Sequence, residues 1–363
     1  LGAGLGWRAR LTPVGAAAVG LLALAAYLRS SEHDPGLTTE VAMVITYLVG
    51  ALAMTAPQLA AGLGVLVALL LAARGPLHEL VRNRLTDREV LDALLLCGAA
   101  LVVLPLMPDR AVDSLGILNP RVIWRLTVLV LAINAFGYVA QRALGARLGL
   151  PMAGFFGGFI SSSATIAAMG TRASERPASA ESCVAAAALS NIATVVQLVA
   201  VLSLVSVALL QRLLPAFIAM GAVAVAFGAW SAYRAVKRSA AASDEIGGRA
   251  FQPRQALLFS VTVTALLYGS ALLQDAYGAS GALIGIGLGG FADTHSAAAS
   301  AGALVARGAV TMPVGVWAVL LAVTTNTCTK LIVAAVTGGR RFLLALAPAL
   351  IAMLAALWVA ALL

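Results

Sequence analysis

A chain of 363 residues with 61% hydrophobic and 11% charged residues, and a mean hydropathy of +0.97, is too apolar for an ordinary water-soluble domain, where about 25% charge is usual. Its apolar stretches run for about 20 residues without the ten-residue alternation of a membrane β-barrel, so they read as hydrocarbon-crossing helices. The net charge of +9 sits mostly as arginine in short loops, where it orients helices and meets membrane lipid; no nucleic-acid partner is expected.

In chain order, the apolar runs predict spans at about Pro13–Leu28, Thr38–Ala56, Gln58–Ala73, Val90–Met107 and Val122–Leu144. Further spans are expected at about Leu150–Gly170, Cys183–Leu210, Leu214–Ala235 and Gln255–Leu273, then Ala279–Val305, Val310–Val336 and Phe342–Leu363. The segment from Arg74 to Glu89 reads as a short surface helix, and 236–253 as a loop joining two halves. Cys97, Cys183 and Cys328 all fall in apolar runs without metal-ligand spacing, and no cofactor is expected.

The chain carries an internal duplication, with residues 1–118 preceding repeat 1 (119–235) and repeat 2 (254–363). Asn119-Pro120-Arg121 opens one half and Gln252-Pro253-Arg254 the other. Each leads to a glycine-rich stretch, near 153–170 and 284–302, in which Gly157-Gly158-Phe159 aligns with Gly289-Gly290-Phe291. A long helix then carries an asparagine, Asn191 or Asn326, and the offset throughout is 132 to 135 residues.

If every run crosses the membrane, Lys and Arg divide 12 to 10 between the two sides; if the two glycine-rich runs are re-entrant, they divide 16 to 6. The second arrangement follows the positive-inside rule and makes the repeats inverted, as in many transporters. The expected fold is therefore an all-α polytopic membrane protein of about 10–12 segments, with inverted repeats and two interrupted or re-entrant glycine-rich helices.

Consecutive glycines followed by serines break a helix, and inside a membrane a break needs protein or water to receive the freed backbone. The helix-break residues are Gly157, Gly158, Gly289 and Gly290. Ser161, Ser162, Ser163 and Thr165 place hydroxyls at the first break, and Asp293, Thr294, His295 and Ser296 stand at the second. Asp293 is the candidate metal ligand, because an ionisable group in the bilayer is costly and usually functional. Asn326 and Lys330 share a helix face, Asn191 and Thr194 take the matching place, and Asn134 and Arg125 lie in the leading helix of repeat 1. Lys330 is a candidate partner that neutralises Asp293, or else snorkels to an interface.

These residues predict a transporter or channel for a small ion or solute, a cation by preference, with its site between the interrupted helices near the midplane. An intramembrane hydrolase is disfavoured: GFISSS lacks a nucleophile elbow, and Asp293 and His295 are awkwardly spaced for mutual bonding on a helix. The protein is expected not to be an enzyme. A regulatory membrane protein that transports nothing is the alternative. Small residues packed this densely leave room for a homodimer.

The stretches GLTTEVAMVITYLVGALA, LNPRVIW, GFFGGFISSSATIAAMG and LSNIATVVQLV resemble the membrane region of larger MgtC/SapB-type proteins, most firmly over Gly36 to Ser206. That resemblance implies a bacterial inner-membrane location and an association with magnesium homeostasis. It carries over no ligand residue.

Overall fold

The computed structural model describes residues 3–30, 38–72, 86–113, 116–142, 146–238 and 253–363. Among them every regular element is a helix, so the chain is an all-α polytopic membrane protein. Residues 74–85 of the segment Arg74 to Glu89 lie outside the described residues, as does most of the loop 236–253.

Residues Leu1–Thr86 and Asp87–Leu363 form two separate compact units. The first contains α1 (Ala3–Ser30), α2 (Thr38–Ala53) and α3 (Pro57–Ala72). The second begins with α4 (Asp87–Leu106), which widens into a π turn at Ala99–Val103. Pro105 has no N–H to give back to the preceding turn, and the indole of Trp124 donates to the Ala99 carbonyl at 2.9 Å. Then follow α5 (Pro120–Ala140), α6 (Ala146–Glu175), α7 (Ala180–Val205), α8 (Val207–Arg238), α9 (Pro253–Gly289), α10 (Thr294–Ala306) and α11 (Met312–Leu362). Asn119 caps α5 by accepting from the Val122 N–H at 3.2 Å, with Pro120 in the first turn.

Three of these helices contain a reversal. In α6 the backbone leaves helical geometry at Ser161 (φ −169, ψ 113). A Cβ at Gly157 would lie 3.0 Å from Thr165 Oγ1, although eight residues of straight helix span about 12 Å. The arm 150–160 runs parallel to α7, with Gly154 against Ala186 and Gly158 against Ser190. The arm 162–175 returns to α7 through only a short turn at Pro177–Ser179, so it runs antiparallel. The chain thus doubles back at Ser161. Each arm is about 16–21 Å long, roughly half to two-thirds of a hydrocarbon core.

The later helices also turn back on themselves. α9 turns at Gly278, whose φ of +63 and ψ of −149 suit a residue without a Cβ, and the arm 279–289 folds back along it, with Gly285 against Ser270 and Gly289 against Leu266. After a turn at 290–293, α10 runs out again. α11 reverses at Gly339, bringing Trp358 back to Trp317 (ring centroids 5.4 Å apart).

Following the chain through these turns puts the two hairpins, 150–175 and 279–306, at opposite ends of the bundle with their tips pointing inward. One end carries Arg142, Arg172, Arg176, Arg234, Arg340 and Arg341; the other carries Arg110, Arg121, Arg212 and Arg307. Contacts at each end agree with this path. Ser174 Oγ donates to the Thr337 carbonyl (3.1 Å) at the arginine-rich end, and Arg307 donates to the Gly116 carbonyl (2.6 Å) at the other.

Seven helices among the described residues are long and apolar enough to cross a membrane. The twelve apolar runs are more numerous because the runs on α1, α2 and α3 are not among the seven and because α9 and α11 each turn between two runs. The expected boundary near Gln211 is corrected to Ser206, where φ −153 and ψ 91 separate α7 from α8 and Ser206 Oγ accepts from the Leu209 N–H (3.4 Å). The polar pair Gln211-Arg212 lies instead inside α8.

The largest core is built mainly from alanine and branched residues of α7, α8, α9, α10 and α11, among them Leu198, Leu213, Ile286, Ala298 and Leu320. Side chains such as Leu257, Val261, Ile332, Val336 and Ile351 stay exposed, as a lipid-facing surface requires. The path makes a prediction about sidedness. In a background without Cys97, Cys183 and Cys328, cysteines at Arg142 and Ala178 should be labelled from one side of the membrane and a cysteine at Gly308 from the other. Opposite-side labelling of Arg142 and Ala178 would break the hairpin.

Candidate functional site

The first tip is built by a cap. Ser161 leaves the helix, and its hydroxyl accepts from the Ala164 N–H at 3.2 Å, so the arm 162–175 starts as a capped helix. Ser162 is 8% exposed and Thr165 4%; Ser163 is half-buried and makes no hydrogen bond among the described residues. The Phe159 carbonyl, freed by the break, accepts from Gln197 Nε2 at 3.0 Å, with Asn134 beside that amide. Losing the cap in Ser161→Ala should cost about 1 kcal/mol, read as a lower melting temperature in detergent.

The second tip uses the same device with a charged residue. Asp293 (φ −160, ψ 121) caps α10, its carboxylate accepting from the Ser296 N–H at 2.6 Å and the Ser296 hydroxyl at 2.5 Å. A carboxylate also suits the positive end of the helix dipole. His295 Nδ1 lies 3.0 Å from the other Asp293 oxygen. The expectation that a two-residue spacing hinders this bond is therefore corrected: Asp293 is extended, not helical, so its side chain turns towards His295. Asn326 Nδ2 donates to the Gly290 carbonyl at 3.4 Å, Thr329 to the Phe291 carbonyl at 3.2 Å and Thr325 to the Gly287 carbonyl at 2.7 Å. Two buried polar atoms remain without partners here among the described residues, Thr294 Oγ1 and His295 Nε2.

Lys330 joins the halves. Its ammonium, on a side chain 3% exposed, donates to Asn191 Oδ1 at 2.9 Å and to Thr194 Oγ1 at 3.0 Å. Thr194 passes its own proton to Ser162 Oγ at 3.0 Å, at the first tip. Asn191 is held by donating to the Ala187 carbonyl at 2.9 Å. The expected Lys330–Asp293 ion pair is corrected: no contact joins them, and the carboxylate, 29% exposed, acts on the ammonium only through space.

The structure thus gathers Ser162, Asn191, Thr194 and Lys330 into one hydrogen-bonded chain, and Asp293, His295 and Ser296 into another. Asn326 serves the tip backbone. Sequence reasoning passed over Gln197 and Thr329, which satisfy the freed Phe159 and Phe291 carbonyls. They differ in type, but like several other contacting pairs they lie 132 residues apart. Ser161 and Asp293, the caps, show the same offset of 132, as do the bonded amides of Ala164 and Ser296. So do Gly158 on Ser190 and Gly290 on Ala322, and, across the halves, Gly170 on Thr337 and Gly302 on Val205. This register matches Asn326 with Thr194 rather than with Asn191.

A family model described as a domain of unknown function (DUF4010) matches residues 128–338, more than half the chain. The chain belongs to that family. The part shared with the DUF4010 family holds both hairpins, all the residues of the two clusters and the helix carrying Lys330, and stops at the Gly339 turn. No curated protein and no solved structure matches the chain.

Proposed function

We propose that this DUF4010 protein is a bacterial inner-membrane transporter of a small cation, with an inverted duplication, whose site lies where the two hairpin tips approach each other. The reading rests above all on one observation: a buried ammonium from one half is held by an amide oxygen and a hydroxyl oxygen of the other. Those oxygens are donors of the kind that bind small cations, so Lys330 acts as a tethered one. The constant offset of 132 among matched contacts supports the duplication. Opposed hairpins support inversion, and the arginine-rich end is then cytoplasmic.

The mechanism follows from charge. A cation reaching Asp293 finds its carboxylate and meets repulsion from the Lys330 ammonium. Binding is therefore linked to withdrawal of the ammonium or loss of its proton, which couples the cation to a proton moving the opposite way. A single carboxylate suits a monovalent ion better than magnesium, which the MgtC/SapB resemblance brings into consideration. Broken helices let either hairpin move without unwinding a full span.

Proteoliposome flux across a panel of monovalent and divalent cations at two pH values tests the reading. Uptake of one cation that is accelerated by an opposing proton gradient and lost in Asp293→Asn is expected. Asn still caps a helix and Lys330 keeps its own hydrogen bonds, so that variant should stay within a few degrees of the wild-type melting temperature. Absence of flux for every cation would overturn transport and favour the regulatory reading.

A further inference from the structure

At the arginine-rich end, away from the two tips, lies a cavity of 740 Å³ between the last turn of arm 162–175, the start of α7, the end of α8 and the Gly339 turn of α11. Its wall is of two kinds. Arg234, Arg340 and Arg341 line it with Ser174 and Ser231, while Phe227, Trp230, Phe342 and Pro348 form an apolar side. The Arg234 guanidinium rests 4.9 Å from the Trp230 ring centroid, which holds it at the rim. Among the described residues no carboxylate pairs with any of these three arginines, and Glu181, which also lines the cavity, has a partner of its own.

Three arginines with no carboxylate paired to them among the described residues, beside an aromatic wall at the end of a membrane bundle, form an amphipathic seat. We infer that this cavity binds the phosphate headgroup of an anionic phospholipid, with the glycerol and first acyl segments against Phe227, Trp230 and Pro348. The arginines supply charge-assisted hydrogen bonds to phosphate oxygens. A soluble phosphate would use the arginines and leave the apolar wall bare. The inference stands independently of the transport reading.

The seat also touches the base of the first hairpin. Ser174 of the first hairpin bonds to the Thr337 carbonyl, and Gly170 packs on Gly338 next to the turn that lines the cavity. A headgroup here bridges α8, α11 and the base of that hairpin, so its binding steadies the hairpin.

The test uses the full-length protein in nanodiscs of phosphatidylcholine with or without phosphatidylglycerol, and in detergent with inorganic phosphate. Phosphatidylglycerol should raise the melting temperature and remain attached in native mass spectrometry, whereas inorganic phosphate should do neither. At about 1 kcal/mol per arginine, removing two in Arg340→Gln/Arg341→Gln should weaken lipid retention by about 30-fold. Arg212→Gln, at the opposite end, should leave it unchanged, and Arg340→Lys/Arg341→Lys should keep part of it, separating lost charge from lost folding. Equal stabilisation by inorganic phosphate would replace the lipid with a soluble anion. Unchanged retention in the double glutamine variant would overturn the site.

Discussion

Replacing Lys330 by Met should abolish transport and destabilise the fold by about 3 kcal/mol, because it removes a buried charge from its hydrogen-bonding partners. Asn191 Oδ1 and Thr194 Oγ1 lose the donor they share, and the Asp293 carboxylate loses the positive charge that acts on it through space. The Thr194–Ser162 bond then has nothing fixing its direction, so the first tip loosens. Flux and thermal melting of Lys330→Met and of Asp293→Asn/Lys330→Met check this. Removing both charges should recover part of the stability and none of the flux. Full transport by the double variant would make the two charges structural and shift attention to the hydroxyls around Ser162.

Gly290→Val and Gly158→Val should be as damaging for a different reason. A Cβ at Gly290 would strike the Ala322 carbonyl oxygen, and one at Gly158 the Ser190 carbonyl oxygen. In both places the obstruction is backbone, which cannot rotate away, and overpacking of this kind costs about 1–3 kcal/mol or more. Each hairpin arm would be pushed off the helix that satisfies its freed carbonyls. Gly221→Val is the comparison: its Cβ position lies 3.6 Å from the tip of Val195, an ordinary contact. Expression, melting temperature and flux should fall sharply for the first two variants and much less for the third. Wild-type melting of Gly158→Val and Gly290→Val would contradict the close approach.

The breaks were legible in the sequence because glycine pairs and capping residues are local signals: GGFIS and GGFAD announce the end of one helix and the cap of the next. The reversal at Ser161 was legible only through the arginine distribution, since composition cannot tell a straight helix from a folded one, whereas the turns at Gly278 and Gly339 fall between apolar runs. Asn191 and Asn326 suggested a false match because identical letters attract alignment, whereas contact geometry pairs Thr194 with Asn326. Gln197 and Thr329 stayed hidden for the converse reason: both donate to a freed carbonyl, so the shared requirement is a donor and not a residue type. The partner of Lys330 was misjudged because opposite charges were matched by type, while the ammonium found two neutral oxygens closer at hand. The Ser206 boundary escaped because neither glycine nor proline marks it.

The most direct test of a cation site between the tips is labelling of single cysteines at Ser162 and Thr294 in the cysteine-free protein, reconstituted and treated with a membrane-impermeant maleimide from each side in turn. The account predicts that each position is reached from either side, as the two hairpins alternate, and that the cation carried in the flux assay slows labelling at both positions together. Labelling of both positions with no protection by that cation, or protection by it at a distant position such as Gly308 instead, would contradict the placement of the site.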